Sequence, residues 1–202
     1  MPGETPGRLG NPRKERIMTN NVFSEFEITE QHIKFKGEEA FSDMNCVGSC
    51  EEELEVKVIT KKCRGVVRKE KVKGTGKGSL KESLHIPYKT YLTMFGMKRA
   101  GLADGVYAYG EGSKHPEFAL TQRVIDEDDE VKLKAYPRCI IETAPTAKIE
   151  NGAEEVAEVE ITITLLPDDD GMCVYEALEE GLDETIKSKW LKEFTSTLVA
   201  AS

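Results

Sequence analysis

The stretch Gly74-Thr75-Gly76-Lys77-Gly78-Ser79 comes nearest in this sequence to a phosphate cradle. Such a loop needs a glycine, four residues, then Gly-Lys-Ser/Thr, leading from a strand into a helix whose first amides hold the anion. Here the register fails: the residue five before Gly76 is Lys71, the residue after Lys77 is Gly78, and a strand pattern follows. The stretch therefore reads as a flexible loop rising into a strand. The three histidines, His32, His85 and His115, show no His-Glu-x-x-His spacing. Cys46 and Cys50 have no second pair to complete a zinc site. No Gly-x-Ser-x-Gly elbow occurs, and no cysteine has a recognisable catalytic neighbourhood. Catalytic residues, a metal and a cofactor are all expected to be absent, and the chain is not expected to be an enzyme.

The 202 residues suit one domain with appendages. No apolar run is long enough to cross a bilayer as a helix. Asp and Glu number 37 against 28 Lys and Arg, a formal charge of −9, which disfavours a broad grip on nucleic acid. Five cysteines at irregular spacing suit reduced cytosolic thiols rather than a disulfide framework. Residues 1–17, rich in Pro, Gly and Arg, read as a disordered arm or a leader extra to the fold, with Met18 as a natural start and a single domain over 18–202.

Alternation of apolar and polar residues marks strands through most of the chain. Two short strands are expected between residues 23 and 41, and the clearest early one at 51–60, where Leu54, Val56 and Val58 alternate with charges. A partner at 79–86 should pair with it. Pro87 starts a short helix carrying Tyr88, Tyr91, Leu92 and Phe95. Further strands are expected at 105–110, 117–125, 131–135, 138–143 and 156–166, the last with Val159, Ile161, Ile163 and Leu165 on one face. A helix at about 183–194 has Asp183 as N-cap and a stripe of Ile186, Trp190 and Phe194. The fold class is mainly β: a β-sandwich of two packed sheets with a flanking α-helix.

Between the paired early strands, residues 61–78 hold eight Lys or Arg and one Glu. That segment is too long and polar for a tight turn, and reads as a projecting basic hairpin. Acidic clusters stand against it at 51–55, 126–130, 150–160 and 168–170. Opposite patches on one molecule can stack copies head to tail, and such contacts generate rings and tubes rather than closed dimers; the alternative, which charge alone favours, is that both patches are ordinary solvated surface.

The order of these elements, with EVKVITKKCRGVVRKEKVKGTGKGSLKESLHIPYKTYLTMFGM at 55–97 and ETIKSKWLKEF at 184–194, resembles the major tail protein, or tail tube subunit, of long non-contractile tailed phages of Gram-positive bacteria. The resemblance implies a sandwich related to contractile-tail and type VI secretion tubes, assembled as stacked hexameric rings into a conduit for DNA ejection. It implies an inter-ring loop at 61–78, with Arg64, Arg68, Lys69, Lys71, Lys73 and Lys77 as the assembly residues. It also implies an acidic bore past which DNA slides without specific binding, although no acidic cluster is singled out as facing the lumen. Partners would be copies of itself, a tape-measure protein, and tail terminator or baseplate proteins, in the virion tail and, before assembly, in the host cytoplasm. The alternative is a monomeric β-sandwich recognition module for carbohydrate or adhesion, which would need a concave aromatic platform.

Overall fold

The computed structural model describes residues 22–201 except Asn45, Lys98 and Arg99. The expectation for residues 1–17 lies outside the described residues. Among the described residues, eight strands and two α-helices follow one another as β1 (Glu27–Phe35), β2 (Ser42–Asp43), β3 (Val47–Cys63), β4 (Val66–Leu84), α1 (Tyr88–Met94), β5 (Phe118–Ile125), β6 (Val131–Ile141), β7 (Val159–Leu165), β8 (Tyr175–Leu178) and α2 (Glu184–Glu193). All pairings are antiparallel, in the order β2-β1-β5-β6-β7-β4-β3 with β8 added beside β6.

The sheet doubles back on itself. β1 and β4 are four strands apart in the ladder, roughly 19 Å in a flat sheet, yet Gln31 on β1 hydrogen-bonds Glu82 on β4 at 3.2 Å. β6 makes the fold possible: one of its edges pairs with β5, while the other serves β8 over 132–135 and β7 over 139–141. Pro137, which has no N–H for a ladder, falls in the gap between those two pairings. The two layers of the sandwich are thus halves of one hydrogen-bonded sheet.

Between the layers lie Ile33 and Phe35 from β1, Leu80 and Leu84 from β4, Phe118 and Leu120 from β5, and Ile161, Ile163 and Leu165 from β7, with Met94 and Phe95 closing one end. A second cluster sits on the outer face of β6, where Leu133 and Ala135 meet Trp190 and Phe194. Asp183 caps α2 by accepting from the Thr185 N–H at 2.8 Å, and the Thr121 hydroxyl pins the helix to β5 by donating to the Leu191 carbonyl at 2.7 Å. Among the described residues no helix is long and apolar enough to cross a membrane.

Several expectations are corrected. One continuous β1 replaces the two short strands expected at 23–41, and the two-residue β2 follows just beyond that range. Residues 105–110 form turns and a single bridge rather than a strand, because Gly105 takes a left-handed φ of 80°. The segments at 131–135 and 138–143 join into one strand that runs through Pro137. Trp190 is 2% exposed, so Trp190→Ala should lower unfolding stability by about 3–5 kcal/mol, read by urea denaturation. An unchanged midpoint would show that α2 contributes nothing to the packed fold.

Candidate assembly surface

Strands β3 and β4 are 17 and 19 residues long, far more than the sandwich can cover. Their proximal halves belong to the body; every residue from 53 to 75 is exposed. Beyond the body they continue as a two-stranded ribbon roughly 25 Å long at 3.3 Å per residue. Its tip is a two-residue turn, Arg64 and Gly65 with φ of 50° and 79°, the type I′ geometry whose twist matches that of the flanking strands. The segment 61–78 is thus the projecting basic hairpin expected from its length and polarity, its polar residues staying in register as strand on either side of a two-residue tip.

Pairing sorts the ribbon into two unlike faces. Lys57 stands opposite Lys73, Ile59 opposite Lys71, and Lys61 opposite Lys69, so one face is a ladder of lysines. Val58 stands opposite Val72 and Thr60 opposite Glu70, which with Val56 makes the other face largely apolar. Val56, Val58 and Val72 are 61%, 54% and 59% exposed among the described residues. Like charges directly across a ladder destabilise it, and two strands alone are marginal in water.

All six basic residues expected as assembly contacts lie on this ribbon or at its foot. Arg64 is in the turn; Arg68 is the extra residue of a bulge between the Lys61 and Lys62 pairings; Lys69, Lys71 and Lys73 belong to the ladder; Lys77 lies at the foot, opposite Glu55. Sequence reasoning missed Lys57 and Lys61 as members of the same ladder, and the valine stripe behind it. Extending the alternation of 54–60 past the Arg-Gly turn would have found both. Residues 56–77 carry nine Lys or Arg against one Glu, a formal +8, which leaves −17 on the rest of a chain whose total is −9.

The glycine-rich stretch read as a flexible loop is a wide bulge inside β4. Between the pairs Leu54–Gly78 and Val56–Gly74, Glu55 alone faces Thr75, Gly76 and Lys77. Gly76 has a φ of +72°, and a Cβ there would lie 2.5 Å from the Gly171 carbonyl oxygen; at Gly78 it would lie 2.6 Å from that of Glu53. The ribbon thus leaves the body through a passage only glycine fits.

Below the ribbon, a polar cluster runs into the seam between the layers. Glu82 is 2% exposed and accepts from the carboxamides of Gln31 (3.2 Å) and Gln122 (3.0 Å). Gln122 also donates to Gln31 at 2.7 Å. Tyr136 donates to Glu52 at 2.5 Å, and Lys134 joins Glu52 at 2.8 Å and Glu25 at 3.1 Å. Burial drives the Glu82 carboxyl up to about 7, and burial together with the nearby Glu82 pushes the Cys50 thiol up to about 12. Burial pulls Lys134 down, but Glu52 and Glu25 outweigh it and keep the ammonium above its usual range. Among the described residues no cluster of three or more His, Cys, Asp or Glu is placed to hold a metal ion.

No protein-family model and no curated protein matches the chain. Among solved structures, it is similar to a chain of the tube-terminating cap of the anti-feeding prophage, at 10% identity and a TM-score of 0.41 over 81% of this chain and 99% of that one. It is also similar to a chain of the anti-feeding prophage baseplate, at 10% identity and a TM-score of 0.38 over 79% and 97%.

Lys73→Glu would set an opposite charge against Lys57 and should stabilise the ribbon by about 0.2–1 kcal/mol. The expected outcome is slower amide exchange across 56–73 without a change in global stability. Exchange as fast as in the parent chain would show that charge repulsion does not limit ribbon order.

Proposed function

We propose that the chain is a structural virion protein, not an enzyme, that polymerises as stacked hexameric rings into a phage tail tube through which DNA is ejected. The observation that carries this reading is the ribbon: a +8 projection with one apolar face, exposed among the described residues, in a chain whose remaining residues sum to −17. A surface of that kind finds its charge complement on another copy, and a head-to-tail contact between unlike patches propagates rather than closing. The long outer edge of β3, which among the described residues pairs only with β4, offers a second open connection. The sequence resemblance supplies the hexameric ring, the tape-measure and terminator or baseplate partners, and the virion tail as location. An acidic wall would let DNA pass without being held.

The recognition-module reading has less support. Its aromatic platform would draw on Tyr88 and Tyr107, which are 68% and 37% exposed, but their rings meet edge-on at 88° rather than lying in one plane.

The test is charge reversal of Arg68, Lys69, Lys71 and Lys73 to Glu. The parent should form tubes or rings at high concentration in electron micrographs, and the variant should lose them while keeping its far-ultraviolet circular dichroism and melting temperature. Normal tubes from the variant, or a parent that stays monomeric at every concentration and salt, would overturn the proposal.

A further inference from the structure

We infer that Glu82 is a proton-binding site built into the seam at the foot of the ribbon, taking up a proton as the two layers close over it and giving it up when they part. The inference is independent of how the ribbon is used. It starts from geometry: a carboxyl only 2% exposed, hydrogen-bonded from the opposite layer by the neutral carboxamides of Gln31 on β1 and Gln122 on β5. An ionised carboxylate taken out of water without a cation is costly, and protonation is the cheapest relief.

The charged and titratable groups around it come from each neighbouring element. β3 contributes Cys50 and Glu52, β6 contributes Tyr136, Lys134 and Cys139, and the segment before β1 contributes Glu25. β7 presents only Ile161 opposite Glu82. Lys134 is the one cation among them, and its ammonium is engaged by Glu52 and Glu25. The Gln122 carboxamide in turn accepts from Tyr136 at 3.4 Å, which completes a polar chain from the half-exposed Glu25 to the buried carboxyl.

The direction of the linkage follows. With its ordinary value of 4.5 in the unfolded chain and about 7 in the fold, Glu82 holds more proton when folded across that window. Its contribution is therefore fully present below pH 4.5 and is lost as pH rises through 7. Over the whole window the unfolding equilibrium constant should rise about 300-fold on account of this group alone. The opening should centre on residues 47–54 and 78–84, which form the foot of the ribbon.

The experiment is urea unfolding from pH 4.5 to 8.5 for the parent chain and for Glu82→Gln, with hydrogen exchange across the ribbon foot. The expected result is a marked loss of stability with rising pH in the parent, reduced by about two orders of magnitude in the unfolding constant in Glu82→Gln, and foot amides that open more readily at pH 8 only in the parent. If Glu82→Gln does not fold, a carbon-13 titration of the glutamate carboxyls in the parent decides: one carboxyl should titrate near neutrality. Every carboxyl titrating in the ordinary range, or an undiminished pH dependence in Glu82→Gln, would overturn the inference.

Discussion

A strand has two edges, and β6 gives one whole edge to β5. How it divides the other sets the rest of the molecule. Sharing that edge between β8 and β7, with Pro137 in the gap, forces the sheet to part into two directions. β1 and β5 then face β4 and β7, and apolar residues from all four strands can fill the space between. The same division leaves the outer face of β6 uncovered, and α2 packs there through Trp190 and Phe194. Without the split, the chain would hold an open sheet whose two faces a single ten-residue helix could not shield.

The body and the ribbon obey opposite rules. In the body, polar groups that go inside find hydrogen-bonding partners: Lys134 two glutamates, the Glu82 carboxyl two carboxamides. In the ribbon, lysines face lysines and valines face water. A sequence selected for a solitary ribbon would place opposite charges across the ladder and polar residues on both faces. Under the assembly proposed above, a second copy would supply the carboxylates and the apolar cover that this ribbon lacks.

Much of the sandwich was legible because alternation is a local signal. β7 shows it almost without error, and α2 carries its cap and stripe in plain sequence. What failed to show was longer in range. β6 is covered on both sides, so its apolar residues Leu133 and Ala135 turn outward to α2 while Lys134 turns inward, the reverse of the usual pattern. The burial of Glu82 depends on Gln31 and Gln122, 51 and 40 residues away. The stretch 74–78 was mistaken for a loop because two of its glycines are there for backbone clearance, and clearance from the Gly171 turn has no signature in sequence. β8 is four residues long and too short to announce itself. For the assembly surface, composition located the basic residues, but only register separated the lysine face from the valine face.

The glycine passage at the foot of the ribbon also has a mechanical meaning. Because backbone meets backbone at Gly76 and Gly171, and again at Gly78 and Glu53, the joint is close-packed rather than slack. The ribbon foot therefore abuts the 167–172 turn directly, and that turn is tied to β8 by the Tyr175 hydroxyl donating to Asp168. Any displacement at Gly76 must accordingly be accommodated next to the strand that shares the edge of β6.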